Sequence, residues 1–241
     1  MDYNAEEKGL ILGIGHGTLR DGPGWRSIVY FKGCNLKCQW CGSPDTMSAC
    51  REILIHNDRL KYPERAVASC ERRALWVKDG ALNVQRRVCV CCRSFSCAEK
   101  SIDGAVELAG TEMTVAQVVG EVMQFRRAHE DYGVTLSGGE ATMQWAFYIE
   151  LLKAFRANGL NTAVETNGVS PKFSESLPLL DHVMCDIKHM DGDTHKRLTG
   201  RSNRSILKNI RLTAAAKKSL WVRIPLVPGI NDGDNIGKTI E

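Results

Sequence analysis

The alternation of strand-like and helix-like patterns in the second half of the sequence constrains the fold more than any other feature. Helical spacing of apolar residues begins at Thr114 and recurs over residues 146–157 and 205–217. Between and after these stretches lie four apolar, strand-like runs, residues 133–136, 161–166, 182–188 and 220–227. Alternating strands and helices favour an α/β fold with a parallel sheet, either open or curled into a barrel.

Side chains capable of chemistry follow the carboxyl ends of the predicted strands. They are a cysteine loop after residues 27–31, the segment Ser137–Glu140, Glu165 with Thr166, and Asp186 with Lys188. In parallel α/β folds that edge of the sheet carries the active site. A tight turn would explain Ser137–Glu140 alone, and a surface ion pair would explain Asp186 and Lys188. The convergence of the strand ends instead predicts a single functional mouth.

The loop after residues 27–31 opens with Gly33 and contains Cys34, Cys38 and Cys41. Iron–sulfur clusters of the cubane type normally use four cysteine thiolates. A loop that supplies three leaves one iron free to bind a small molecule. A structural zinc ion is the alternative, but no nearby His or Cys is spaced to complete a set of four ligands.

Composition limits the cellular setting. The polar start of the chain, residues 1–8, does not resemble a signal peptide, and no apolar run approaches the roughly 18 residues of a membrane span. We therefore expect a cytoplasmic protein without a membrane partner. Cysteines of cytoplasmic proteins bind metals more often than they form disulfides, and we expect the ten cysteines here to be mainly metal ligands. The net charge of +4, from 32 basic and 28 acidic residues, is nearly balanced and argues neither for nor against a nucleic-acid partner. No nucleic-acid partner is expected.

The sequence changes character between about residues 46 and 110, where cysteines are scattered and no long amphipathic helix is predicted. So few large apolar side chains make a thin core, which favours a small inserted domain held by metal. The glycine-rich segment 13–24 breaks regular structure and is predicted to be a substrate-facing loop or a surface turn.

Several motifs together resemble the radical S-adenosylmethionine (SAM) superfamily and, within it, the activating enzymes of glycyl radical enzymes. The resemblance rests on the cysteine triplet, Ser137–Glu140, and the segments Asp21–Arg26, Phe31–Cys34, Asp186–Met190 and Arg223–Gly229. It implies that residues 1–45 and 111–241 form an incomplete, TIM-like (β/α)6 barrel. Residues 46–110 would then be a ferredoxin-like insert.

The resemblance also implies the chemistry. A 4Fe-4S cluster on Cys34, Cys38 and Cys41 would bind SAM through its free iron and cleave it to a 5′-deoxyadenosyl radical. Lys188 would meet the SAM carboxylate, and Glu165, Thr166 and Asp186 match the positions that hold a monovalent cation. The full set of implied cofactor-binding residues is Trp40, Gly42, Gly138, Gly139, Glu140, Asp186, Ile187, Lys188 and Arg223.

Relatives with an insert usually carry two ferredoxin-type motifs of four cysteines each. The fourth cysteine of each motif binds the cluster of the other motif. Here the first motif keeps only its last cysteine, and Ser101 replaces the last cysteine of the second. One auxiliary 4Fe-4S cluster is therefore expected, with Cys91 as the competing ligand and zinc as the alternative metal. Its ligands would be Cys70, Cys89, Cys92 and Cys97.

The implied partners are a glycyl radical enzyme, which is the protein substrate, and an electron donor such as flavodoxin or ferredoxin. Two alternatives remain at this point. One is a radical SAM enzyme acting on a small molecule, similar to a deazapurine synthase, and the other is a non-catalytic iron–sulfur electron carrier. The sequence also ends at Glu241, before the last barrel strand of the family. SAM binding weaker than that of a longer relative is the expectation that follows.

Overall fold

Strands and helices alternate in the second half of the chain, as the sequence predicts. The computed structural model describes residues 2–90, 92–126 and 132–240. Its strands are β1 (Lys8–Thr18), β2 (Arg26–Phe31), β3 (Glu52–Ile55), β4 (Leu75–Lys78), β5 (Ala81–Val84), β6 (Val106–Ala109), β7 (Thr111–Thr114), β8 (Gly133–Gly138), β9 (Asn161–Thr166), β10 (His182–Asp186) and β11 (Ser219–Arg223). Its helices are α1 (Pro63–Ala68), α2 (Arg86–Cys89), α3 (Ser96–Glu99), α4 (Val115–Arg126), α5 (Trp145–Ala157), α6 (Phe173–Ser176), α7 (Gly192–Thr199), α8 (Arg204–Ala215) and α9 (Asp234–Ile240).

The described chain divides into two compact units. The larger unit comprises Met1–Met47 and Glu112–Glu241, and the smaller unit comprises Ser48–Thr111. A sheet of seven strands in the order β11-β10-β9-β8-β2-β1-β7 forms the centre of the larger unit. From β2 to β11 each neighbouring pair in this sheet is parallel, whereas β1 pairs with β2 in the antiparallel direction. The predicted α/β fold with a largely parallel sheet is confirmed.

Apolar helix faces cover the sheet. Val118 and Val122 of α4 and Leu151 and Phe155 of α5 are fully buried in one core with the β8 residue Leu136. Each such side chain contributes about 1.5–3 kcal/mol through removal of apolar surface from water. The core therefore fixes the parallel strands in register, and their carboxyl ends come to one edge.

The interpretation of residues 13–24 as wholly irregular is wrong for its first part. Strand β1 continues through Thr18, paired with β2, and only the following residues form a loop. The strand tolerates its glycines because antiparallel pairing supplies backbone hydrogen bonds, and register shifts occur at Ile11/Gly13 and Gly15/Thr18. At Gly15 a side chain would come 3.1 Å from Ile28 Cγ2, so the small residue serves close packing.

The smaller unit contains two separate antiparallel strand pairs, β3 with β6 and β4 with β5, and three short helices. Its core consists of Ile53, Leu75, Leu82, Phe95 and Val106, together with cysteines described below. Its identity as a ferredoxin-like domain stays a prediction. Among the described residues, no helix has the length and apolar character needed to cross a membrane.

Candidate active site

A cavity of about 450 Å³ lies at the carboxyl ends of the parallel strands. Residues that follow β2, β8, β9, β10 and β11 all contribute to its wall. The predicted site residues that line it are Cys34, Cys38, Trp40, Cys41, Gly42, Gly138, Gly139, Glu165, Thr166, Asp186, Lys188 and Arg223. The carboxyl ends of the strands thus bring together residues spread over 190 positions of the sequence.

The three cysteines of the loop after β2 are half-buried and share this cavity. Burial, together with negative charge on Glu140, Cys38 and Cys41, raises the pKa of the Cys34 thiol to about 11. Burial also raises the pKa of Cys38, an effect that the nearby Lys188 partly offsets. Thiolates confined in this way need positive charge close by, which iron supplies when it coordinates them. The donor set therefore fits a cluster held by three cysteines.

Backbone hydrogen bonds hold this loop in place. The N–H of Gly33 donates to Thr46 O (2.7 Å), and the N–H of Cys34 donates to Met47 O (3.0 Å). Farther along, the N–H of Lys37 donates to Thr199 O at the end of α7 (2.7 Å). Gly33 has a positive φ of 99°, which lets the chain turn sharply into the loop.

The glycine pair at the end of β8 packs directly against the same loop. Gly138 has φ of 104°, and a Cβ there would lie 2.3 Å from the backbone nitrogen of Phe31. A Cβ on Gly139 would lie 2.3 Å from Gly33 O. No side chain fits at either position, so the turn presents backbone to the cavity.

Four charged side chains form one network in the cavity wall. Lys188 Nζ lies 3.0 Å from Asp186 Oδ2, and Arg223 Nε donates to Asp186 Oδ1 (2.9 Å). Arg223 also contacts the carboxylate of Glu165 through Nη1. Burial disfavours the charge on Lys188, but Asp186 and Cys38 outweigh it and raise the pKa of Lys188. Lys188 therefore stays a cation inside the cavity, which distinguishes its pair with Asp186 from a solvated surface pair.

Glu140 and Ile187 do not line the cavity. The Ile187 side chain lies in the hydrophobic core, and its N–H donates to Arg223 O (2.9 Å). Glu140 is 1% exposed, and burial raises the pKa of its carboxyl group. Its oxygens accept hydrogen bonds from Thr142, from the Thr166 hydroxyl and from the N–H of Asn167. Both residues therefore lie behind the cavity wall. Their polar groups are satisfied by hydrogen bonds within the chain.

The site also matches known proteins. The sequence model of the radical SAM superfamily matches residues 28–239. The isethionate sulfite-lyase activating enzyme of Desulfovibrio desulfuricans is 34% identical, and the alignment covers 97% of this chain and 78% of that protein. The chain belongs to the radical SAM superfamily and, within it, to the activating enzymes of glycyl radical enzymes.

Two further relatives support this assignment. The (2S)-3-sulfopropanediol dehydratase activating enzyme of Klebsiella oxytoca is 33% identical, with 95% of this chain and 74% of that protein covered. The 4-hydroxyphenylacetate decarboxylase activating enzyme of Clostridium scatologenes is also 33% identical, with 98% and 79% covered. The predicted family is confirmed, and membership of the radical SAM superfamily implies SAM and a 4Fe-4S cluster as cofactors.

Sequence reasoning missed several residues of this radical SAM site. Asn167 lines the cavity, its Nδ2 lies 3.8 Å from Cys34 Sγ, and it donates to Asn35 Oδ1 (2.7 Å). Tyr30 also lines the cavity and is likewise missed, whereas Asp21 and Ser137, which line it too, belong to the motifs Asp21–Arg26 and Ser137–Glu140. Asn167 directly follows Thr166, so the strand-end rule, extended by one residue, identifies it.

A second group of cysteines lies in the smaller unit of this radical SAM protein. Cys89 and Cys97 are buried in its core, and Cys70 and Cys92 pack against them. Burial, together with the other three thiols, raises the pKa of Cys97 to about 11. Cys91 lies outside the described residues. Among the described residues, no three His, Cys, Asp or Glu side chains form a group suited to a single metal ion.

Replacement of Gly138 by alanine tests the close approach at the end of β8. The added Cβ meets the Phe31 backbone and a positive φ, so the strand end must move. We expect SAM affinity to fall at least about tenfold, measured by anaerobic calorimetry. A loss of about 1.4 kcal/mol of binding free energy gives this change, and displacement of the strand end is the cause of the loss. Gly233→Ala is the control, since a Cβ there meets nothing within 4 Å. Wild-type affinity in Gly138→Ala would contradict the assigned role.

Proposed function

We propose that Cys34, Cys38 and Cys41 hold the catalytic 4Fe-4S cluster and that the cavity beside them binds SAM. The observation that carries this proposal is the shared cavity of the three thiols, the Gly138–Gly139 backbone and Lys188. When bound, the cluster supplies the electron that cleaves SAM, and the resulting 5′-deoxyadenosyl radical removes a hydrogen atom from a glycine of the partner enzyme. The product is a glycyl radical on that partner.

The chain's own residues bind and orient the cofactor in this proposal. Lys188 meets the SAM carboxylate, because it is a buried cation in the wall with only one carboxylate partner at hydrogen-bond distance among the described residues. Trp40 and Gly42 lie on the adenine side. The loop Asp21–Gly24 follows β1, and its Asp21 lines the cavity, which suits it to guide the glycine-bearing segment of the partner.

The two alternative functions are not favoured. The relatives described above are activating enzymes, and they match nearly the whole chain. An electron carrier has no use for an iron without a protein ligand. The partner is therefore a glycyl radical enzyme, and the electron comes from a donor such as flavodoxin or ferredoxin.

Anaerobic reconstitution, reduction by dithionite and addition of SAM should yield 5′-deoxyadenosine, measured by chromatography. Cys38→Ala should yield none, because the cluster loses one of three protein ligands. The control Cys50→Ala should match the wild type, since Cys50 is exposed and has no assigned ligand role. A glycyl radical doublet in electron paramagnetic resonance, on addition of a candidate partner, would identify the substrate. Equal 5′-deoxyadenosine yields in wild type and Cys38→Ala would refute the cluster assignment.

The smaller unit is proposed to carry one auxiliary 4Fe-4S cluster on Cys70, Cys89, Cys92 and Cys97. Backbone N–H groups already point to two of these sulfurs, from Ala74 to Cys70 (3.2 Å) and from Phe95 to Cys92 (3.5 Å). Burial raises the pKa of Cys92, but hydrogen bonds from Phe95 and Ser94 outweigh it and lower that pKa. Such donors stabilise thiolate sulfur and tune cluster potential. The unit is accordingly proposed to be the ferredoxin-like insert.

Iron analysis separates Cys70 from Cys91 as the fourth ligand. The reconstituted wild type should hold about eight irons per chain, four in each cluster. Cys70→Ala should lower this to about four, whereas Cys91→Ala should keep about eight. The opposite pattern would assign the cluster to Cys91, and about four irons in the wild type would remove the auxiliary cluster from the account.

The implied monovalent cation does not fit the residues as the structure arranges them. Glu165 and Asp186 both contact the guanidinium of Arg223, and the Thr166 hydroxyl donates to Glu140. Two carboxylates face the two cations Arg223 and Lys188, so this part of the wall is already balanced in charge. Arg223 therefore takes the place that a metal cation would hold.

Arg223→Ala should convert a cation-independent site into a cation-dependent one. In the wild type, replacement of potassium by tetramethylammonium should change SAM affinity less than about twofold, because the carboxylates already have a cationic partner. In the variant, the two carboxylates face Lys188 alone, and potassium should improve the affinity by about tenfold. Calorimetry in the two salts measures the ratio. A wild-type protein that requires potassium would overturn this assignment.

A further inference from the structure

A long segment of the larger unit carries charge of only one sign. Between Asp193 and Asp232 every charged residue is a lysine or an arginine, although the whole chain has a net charge of only +4. These residues are Lys196, Arg197, Arg201, Arg204, Lys208, Arg211, Lys217, Lys218 and Arg223. Apart from Arg223 in the cavity wall and Lys218, which donates to Leu180 O, the side chains of this series are exposed.

The fold brings the first part of this segment to the cysteine loop. The N–H groups of Lys37 and Gln39 donate to the carbonyls of Thr199 and Leu198 at the end of α7 (2.7 and 3.3 Å). Arg201 Nε donates to Asn35 O within the loop (2.9 Å). Lys37, which stands between Cys34 and Cys38, is exposed and does not line the cavity. Positive charge therefore lies on and beside the loop, on residues that do not line the SAM cavity.

Helix α8 continues the positive surface. Arg204, Lys208 and Arg211 follow the i, i+4, i+7 spacing of one helix face, and all three are exposed. The opposite face carries the buried residues Ile206, Asn209 and Thr213. We use the name basic face for Lys37, Lys196, Arg197, Arg201, Arg204, Lys208 and Arg211.

We propose that the basic face is the docking site of an acidic, one-electron redox protein that reduces the catalytic cluster. This inference rests on the proposed function, which consumes one electron from outside the chain in each activation. The donor loses one electron and the cluster gains it, and no atom is transferred. A donor bound at Lys37 contacts the loop that carries the cluster ligands, and Lys37 itself does not line the cavity proposed for SAM.

The chemistry of the face favours a protein over a nucleic acid. Single-stranded nucleic acids bind through aromatic side chains between basic ones, and residues 193–218, which carry six of the seven basic residues, contain no Phe, Tyr or Trp. Complementary charge steers association and raises on-rates by about 10–1,000-fold at low salt. Seven like charges on the loop, on α7, after α7 and on α8 suit such steering.

The test is the association rate of anaerobic, reconstituted protein with a bacterial flavodoxin as probe, followed by stopped-flow flavin fluorescence. Flavodoxin is an acidic one-electron carrier. The wild-type rate should fall about tenfold between about 0.05 M and about 0.5 M salt, because the Debye length shortens. The double variant Arg197→Glu with Arg204→Glu should lower the low-salt rate about tenfold or more and flatten the salt dependence. Lys217→Glu is the control, since Lys217 is exposed at the other end of α8, and it should change the rate less than about twofold.

Activity separates this inference from the proposed function. With dithionite as reductant, the double variant should form 5′-deoxyadenosine as fast as the wild type. An unchanged flavodoxin rate in the double variant would overturn the docking site, and so would displacement of flavodoxin from the wild type by a DNA duplex of about 20 base pairs. A wild type that forms no 5′-deoxyadenosine with dithionite would contradict the proposed function, and the flavodoxin rates would still decide the docking site.

Discussion

The site depends on backbone hydrogen bonds that fix an irregular loop against regular strand ends. The cysteine loop belongs to no helix or strand over most of its length, yet it must place three thiols within one cavity. The N–H of Glu140 donates to Gly33 O (2.8 Å) and the N–H of Gly139 donates to Phe31 O (2.9 Å), which joins the loop to the end of β8. The contact requires glycine because both backbones approach closer than a Cβ allows. Main-chain contacts thus set the position of the loop, and the loop sets the positions of the three thiols.

Behind this contact, a buried carboxylate joins the next strand to the loop. Glu140 accepts hydrogen bonds from Thr166 and Asn167 at the end of β9, and Asn167 in turn reaches Cys34 and Asn35. A buried charge is costly unless several donors satisfy it, and these donors do so. The cavity wall beyond them alternates acid and base, from Glu165 through Arg223 and Asp186 to Lys188. That arrangement keeps Lys188 charged and in place.

Local pattern was sufficient to predict the strands and the edge at which they meet. The strand predicted over residues 161–166 is β9, with the same bounds. Its β-branched residues indicate a strand, and the glycine that follows marks where the strand ends. The glycine-rich β1 was missed, since tertiary pairing with β2 overrides a low strand propensity. The sequence predicts direct cofactor contact for Glu140, but its carboxylate accepts hydrogen bonds from Thr142 nearby and from Thr166 and Asn167 at the end of β9. The latter two partners lie beyond the reach of any local pattern. Arg26 was noted only within a motif, yet it is 1% exposed and donates to Thr135, Pro23 and Asn161, contacts that become visible only in three dimensions.

The central claim is that three cysteines leave one iron open and that SAM occupies it. Electron–nuclear double resonance on the reduced protein tests this most directly, with SAM labelled by ¹⁵N at its methionyl amine. The account predicts a ¹⁵N coupling to the cluster spin that is absent in Cys38→Ala. SAM that binds to the reduced protein without any such coupling would contradict the account.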